Sequence, residues 1–171
     1  GVMSLRTADD ALALRGAIRE GLRVAIVGGG YIGLEAAASA RMLGAQVRVI
    51  EREQRLMARV ASEALSRFCA DYARSKDVEV DLGATVAGSE GRGGELSTVR
   101  LADGRSFACD LALVGIGVVA EQELAQQAGL ACSDGVLVDD TALTGDPHIS
   151  AIGDCTRRPI GLFSRNARLE S

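Results

Sequence analysis

Aromatic residues are scarce in this 171-residue sequence: there is no tryptophan, and phenylalanine and tyrosine together make up 3%. The hydrophobic share is nonetheless 47%, drawn largely from Ala, Val and Leu beside 21 glycines. That composition suits small side chains packed closely between helices and parallel strands, and favours an α/β layer fold. Charge is not blocked by sign either. With a formal charge of −4 and acids and bases interspersed, the chain offers no basic stripe for a phosphate backbone, so nucleic acid is not an expected partner. No stretch approaches the roughly 20 apolar residues needed to cross a bilayer, and the N-terminus lacks the charged-then-apolar pattern of a signal peptide. A cytoplasmic protein with no membrane contact is the expectation.

Reactive clusters are equally absent. Cys69, Cys109, Cys132 and Cys155 are widely spaced and form no Cys-x-x-Cys pair or Cys/His group. Each is expected to be a compact buried or half-buried thiol, with neither a disulfide nor a metal site. His148, the single histidine, follows Asp146-Pro147 and has no nucleophile or metal-ligand partner in sequence, so it reads as a solvated loop residue. With no Ser/His/Asp or Cys/His constellation, hydrolytic chemistry has no machinery, and no catalytic residue is assigned.

What is present is a regular alternation of elements within a length that suits one domain. Thr7 is placed to cap a helix running toward Ile18. Leu22 to Val27 reads as a buried parallel strand, stopped by Gly28-Gly29-Gly30. An Ala-rich helix, Tyr31 to Leu43, closes at Gly44, and Gln46 to Ile50 forms the next strand. Ser62 to Ser75 predicts an amphipathic helix and Val78 to Val80 a short strand. From Ala84 to Ala108, short alternating runs broken at Gly91-Arg92-Gly93-Gly94 and Asp103-Gly104 predict a three-stranded antiparallel meander. Leu111 to Val114 returns as a buried strand ending at Gly115-Ile116-Gly117, with a short helix over 121–128. Val136 to Val138 and Ile149 to Ile152 read as two last strands, while Thr156 to Ser171 has few apolar anchors and is expected to be poorly ordered.

The strongest motif is Gly28-x-Gly30-x-x-Gly33, which follows a strand, opens a helix and is trailed about 20 residues on by an acid at the next strand's end. Gly28 permits the tight turn, Gly30 removes a side chain that would block a pyrophosphate, and Gly33 lets helix and strand approach. Gly29, Tyr31 and Ile32 complete this turn, whose helix N-terminus presents N–H groups and a positive dipole end to phosphates. Glu51, ending the second strand, is placed to accept from adenine-ribose hydroxyls and to repel a 2′-phosphate, which favours NAD over NADP; Arg52 beside it is the group that could hold such a phosphate. Position alone gives Glu35 no specific role, since acids near a helix N-terminus are favoured by the dipole. Gly153-Asp154 offers close backbone approach and a carboxylate acceptor, as ribitol or ribose binding needs, but reads equally as a turn.

Taken together, the run Arg23 to Glu35, the segment Val114-Gly-Ile-Gly117, Val136-Leu-Val-Asp139 and Ala151-Ile-Gly-Asp154 resemble the pyridine nucleotide-disulfide oxidoreductase superfamily. Within it, Leu5-Arg6-Thr7, Arg55-Leu-Met-Ala-Arg-Val60 and Arg168-Leu-Glu-Ser171 are similar to the NADH-dependent ferredoxin reductases that serve cytochrome P450s and Rieske oxygenases. The resemblance spans nearly the whole chain. It implies a three-layer, Rossmann-like α/β NAD-binding domain with a central parallel sheet and an antiparallel three-stranded meander. Residues 21–145 would be that domain, 1–20 a linking segment from an FAD domain and 146–171 the return into it.

The resemblance further implies that Glu35 meets the nicotinamide carboxamide, that Gly115, Ile116 and Gly117 pass beside the nicotinamide end, and that Arg59 lies near the adenosine ribose. Asp154 would contact the flavin. The implied reaction is hydride transfer from NADH to FAD, then single-electron transfer to a [2Fe-2S] ferredoxin, with this domain aiming the nicotinamide. The family's N-terminal FAD fingerprint is absent from this sequence, so the chain is read as part of a longer enzyme and inactive alone, its end segments docking abnormally or joining chains as a homodimer. Two alternatives stand beside this reading: a fragment of an NADH oxidase, peroxidase or nitrite-reductase-type flavoprotein, and a nucleotide-binding module without catalysis of its own.

Overall fold

Alternating apolar side chains place one sheet between two different layers. In the computed structural model, which describes residues 1–161 and 165–168, strands β1 (Val2–Ser4), β2 (Arg23–Val27), β3 (Gln46–Glu51), β4 (Val78–Leu82) and β8 (Leu111–Val114) form an all-parallel sheet in the order β1-β8-β2-β3-β4. Successive residues of a strand face opposite sides. Val24 and Ile26, Val47 and Val49, and Leu111 and Leu113 therefore join one core, shared with α1 (Ala8–Ala17), α2 (Tyr31–Met42) and α3 (Glu63–Ser75). Ala25, Ile50 and Ala112 point the other way, into a second core with Leu96, Val99 and Leu101. Those residues lie on the antiparallel meander β5 (Val86–Arg92), β6 (Glu95–Leu101) and β7 (Ser106–Ala108). Helices, parallel sheet and meander make the three layers expected.

The helices start where their caps permit. Thr7 and Asp10 form a reciprocal capping box on α1, the Thr7 hydroxyl accepting from Asp10 N at 3.1 Å and the Asp10 carboxylate from Thr7 N at 2.8 Å. Ser62 accepts from Leu65 N to start α3. The helices α1 and α3 both stay short of membrane length, and among the described residues no helix is long and apolar enough to span a bilayer.

The chain clusters into two compact units, Gly1–Gly117 and Val118–Ser171. Strand β1 belongs to the first: although read as part of a linking segment, it pairs in parallel with β8 as the sheet's edge strand. Three residues are too short for a periodic pattern to reveal. The second unit holds α4 (Glu123–Gln127) and a three-stranded sheet of β9 (Val136–Leu137), β10 (Thr156–Ile160) and β11 (Arg165–Ala167), in the order β11-β10-β9.

Two expectations for this unit need correction. The stretch 149–152 is not a strand; only Ser150 bridges, to Leu143, and Ile152 is 79% exposed. Without a buried face, an apolar run has nothing to pack a ladder against. Conversely, the segment from Thr156, expected to be poorly ordered, pairs through β10 and β11. Backbone hydrogen bonds, invisible to apolar patterning, order it. The tail positions 169–171 lie outside the described residues, as do 162–164.

One ion pair pins the meander's exit to the sheet. Asp110, just before β8, accepts from Arg23 N at 2.9 Å and Arg23 Nε at 2.8 Å, and pairs with Arg23 Nη2 as well. These bonds from Arg23 hold the Asp110 carboxyl down to about 2. Because folding depresses this acid, its stabilising contribution is complete above the ordinary value of 3.8 and is lost as pH falls through about 2. Replacing Asp110 by Asn should cost about 1 kcal/mol at neutral pH, given the solvent around the pair. Urea unfolding at pH 6, 4 and 3 should show the gap between wild type and D110N narrowing as acid is added; a constant gap would contradict this account.

Candidate functional site

Three glycines bring three backbones into contact at the C-terminal edge of the sheet. Gly28, following β2, has φ +112° and donates to Ile50 O at 2.9 Å. A Cβ there would sit 2.2 Å from Gly115 O, and one on Gly33 only 2.0 Å from Gly28 O. Real Cβ atoms do not approach so closely, so glycine is demanded at both positions. Gly115 N in turn donates to Val27 O at 2.8 Å, docking the segment after β8 against the end of β2.

Gly30 differs from both. It is the N-cap of α2, with φ −83°, and a Cβ built on it meets nothing within 4 Å. The fold does not need glycine here; an open space lies above it. Helix α2 begins with no side-chain cap and no acid in its first turn, so its leading amides are left for an outside acceptor. A helix N-terminus without its own cap, facing open space over a glycine, fits a phosphate group.

The next strand walls this turn from the side. The half-buried Glu51, ending β3, accepts from Gly29 N at 2.6 Å through Oε2 and from Glu53 N at 2.8 Å through Oε1. A carboxylate has about four lone-pair directions, so acceptor capacity remains for a ligand hydroxyl. Sequence reasoning foresaw Glu51 at the strand end but not its bond to the glycine turn. The Gly29 carbonyl is held too, accepting from Met57 N at 2.9 Å, and the fully buried Leu56 would stand 2.5 Å from a Cβ on Gly29. Gly29 is thus pinned from both sides by the segment that follows β3.

Of the other candidates, Tyr31, Ile32, Glu35, Arg52, Arg59 and Gly115 to Gly117 belong to the same unit as this turn, and Asp154 to the other. Arg52 is exposed and pairs with Glu53 at 3.3 Å. Arg59, exposed, brings Nη2 to 3.3 Å from where a Cβ on Gly117 would stand, so its guanidinium lies beside the segment Gly115–Gly117, of which Ile116 is 71% exposed. Tyr31, Ile32 and Glu35 face solvent on the first turns of α2. Asp154 belongs to the second unit, exposed in a turn where Thr156 N and Oγ1 both donate to Gly153 O. His148 is an exposed loop residue, its N–H donating to Asp146. All four cysteines are free thiols; Cys109 is buried, which pushes its thiol up. Arg55, Leu56 and Met57, which stood out only as part of the run Arg55 to Val60 that carries the resemblance, and Ser66, which did not stand out, shape the segment holding Gly29; the linear pattern assigns none of them a role of its own.

Parallel strands, a crossover helix opening on a glycine turn, and an acid at the neighbouring strand's end define a Rossmann-type dinucleotide-binding unit. The chain belongs to the pyridine nucleotide-disulphide oxidoreductase family, which matches residues 1–168. A probable ferredoxin reductase from Castellaniella defragrans is 47% identical over 163 residues, covering 95% of this chain and 40% of the relative. A rubredoxin–NAD(+) reductase from Ectopseudomonas oleovorans is 40% identical over all of this chain and 44% of its own. Among solved structures, the reductase of a covalent putidaredoxin reductase–putidaredoxin complex superposes with a TM-score of 0.94 at 34% identity, over 99% of this chain and 41% of that one. The chain therefore spans less than half the length of these relatives.

The three fingerprint glycines should separate cleanly by substitution. Gly28→Ala and Gly33→Ala are expected to destabilise by about 2–3 kcal/mol, through backbone overlap and, at Gly28, the positive φ. Gly30→Ala should stay within about 0.5 kcal/mol of wild type. Urea midpoints for the three variants check this; a large loss at Gly30 would mean the space above it is not open.

Proposed function

We propose that this chain is the NAD(H)-binding part of an FAD-dependent NADH:ferredoxin reductase. The observation that carries the reading is the open space over Gly30 at the uncapped start of α2, with the Glu51 carboxylate bonded to the neighbouring Gly29. In this reading the amides of Gly30 to Gly33 receive the pyrophosphate, since the Gly29 N–H is already taken by Glu51, with the helix dipole adding to their attraction. Glu51 accepts from the adenine-ribose hydroxyls with the capacity its two backbone bonds leave free. Glu35 takes the nicotinamide carboxamide and Gly115 to Gly117 border the nicotinamide end; Arg59, expected near the adenosine ribose, has its guanidinium beside Gly117 and is assigned to the dinucleotide without a choice of end. Asp154 is assigned to the flavin. When bound, the nicotinamide supplies a hydride to the flavin of the whole protein, and an iron–sulfur ferredoxin takes the electrons onward; the chain's own task is to hold and aim the dinucleotide.

The ferredoxin acceptor is supported by the relatives' names, and the rubredoxin reductase among them favours a rubredoxin as second choice. The lean to NADH rests on electrostatics. A 2′-phosphate would stand against the Glu51 carboxylate, and Arg52, the cation that could compensate, is engaged with Glu53.

Calorimetric titration of the chain with NADH and NADPH at one salt concentration tests the reading. NADH should bind at least about tenfold more tightly, and Gly30→Ala should weaken it while leaving the unfolding midpoint in place. Tighter NADPH binding would move Arg52 into the phosphate-binding role, and binding of neither would sink the proposal.

A further inference from the structure

The segment between β3 and α3 carries a cation that none of the roles above uses. Arg55 donates from Nη1 to Ala61 O at 2.7 Å and to Ser66 Oγ at 2.9 Å, and from Nη2 to Ala58 O at 2.7 Å. Ser66, only 1% exposed on α3, passes the link on by donating its own hydroxyl to Leu56 O at 2.6 Å. One guanidinium thus ties the start, middle and end of 55–61 to each other and to the helix. Every acceptor it uses is neutral; among the described residues Arg55 forms no ion pair. Solvated acids were available along this chain, so the choice of carbonyls and a hydroxyl points to shaping the backbone rather than to balancing charge.

What that backbone shape accomplishes is visible at its other side. Between the residues Arg55 ties down lies Met57, held at φ +50°, a conformation unfavourable for a side-chain-bearing residue. In that conformation its N–H reaches Gly29 O at 2.9 Å, while its own carbonyl accepts from Val60 N and Ala61 N. Leu56, immobilised through Ser66, closes against Gly29, and Arg59 is carried on the same loop to the flank of Gly117. A strained peptide persists only when its surroundings over-determine it.

We infer that Arg55 is a positioning residue for dinucleotide binding: it locks the 55–61 loop so that Met57 and Leu56 fix the Gly29 peptide and Arg59 is held at the site. This inference rests on the proposed function and names the device that keeps the phosphate turn formed. A planar fork reaching three acceptors at once is something lysine cannot reproduce, which makes the chemistry testable.

The experiment is NADH titration of the full chain carrying Arg55→Ala, Arg55→Lys or Ser66→Ala, each with and without millimolar guanidinium chloride, against sodium chloride at equal ionic strength. Arg55→Ala should weaken NADH binding by about tenfold or more, as displaced binding groups do, and Arg55→Lys nearly as much. Added guanidinium should restore most of the affinity to Arg55→Ala while leaving wild type unchanged. A merely structural loss would not be rescued, since guanidinium destabilises folded proteins in general. Ser66→Ala, which removes only a hydroxyl, should fold and bind a few-fold less tightly, and it carries the test if Arg55→Ala fails to fold. Affinity within twofold of wild type in Arg55→Ala and Ser66→Ala, or a loss in Arg55→Ala that guanidinium does not reverse, would overturn the inference while wild type still binds. Absence of NADH binding by wild type would overturn the proposed function and this inference with it.

Discussion

The site depends on backbone touching backbone. At the end of β2 the chain turns so tightly that Gly28 and Gly33 lie against main-chain oxygen with no room for a methyl group, and the segment after β8 packs on the same turn through Gly115. That contact places the N-terminus of α2 directly over the C-terminal edge of the parallel sheet. All else in the candidate site, from the uncapped amides to the acid at the tip of β3, takes its position from this turn. Larger side chains would push helix and sheet apart and disperse the amides at the start of α2.

The turn is also supported laterally, by Glu51, which was expected to bind, and by Leu56 and Met57, which were not. Glu51 accepts from Gly29 N and Glu53 N, so the carboxylate proposed to meet the ribose also fixes the glycine turn. The 55–61 loop takes the Gly29 carbonyl and delivers Arg59 to the flank of Gly117. In the proposed reading this preorganises Glu51 and Arg59, since groups already ordered by the fold lose little further freedom on binding. Away from the site, charge works as glue: Arg48 stacks on Phe107 and pairs with Asp81, which also takes Arg105, tying β3 and β4 to the meander.

Much of this was legible in the linear sequence because it follows from strict local rules. Buried parallel strands are rich in Val, Ile, Leu and Ala, which is why Leu22–Val27, Gln46–Ile50 and Leu111–Val114 stood out, and the meander declared itself through glycine turns at regular intervals. The fingerprint glycines were legible for the same reason, since their roles are set by sterics. Features created by pairing across the chain were not legible. Val2–Ser4 becomes a strand only because β8 lies beside it, Thr156–Ile160 only because β9 and β11 do, and the apolar run at 149–152 fails to become one because no layer covers it. Arg55 and Ser66 were invisible as a pair, eleven residues apart with ordinary side chains, until the helix and loop brought them to 2.9 Å.

The central claim is that the glycine turn, the tip of β3 and the segment 115–117 act as one nucleotide site. Amide NMR spectra of the chain titrated with NADH test it most directly. The account predicts that the largest shifts cluster at Gly28 to Gly33, at Glu51 to Glu53 and at Gly115 to Gly117, moving together with a single affinity. Shifts confined to other parts of the chain, or three segments titrating with different affinities, would contradict it.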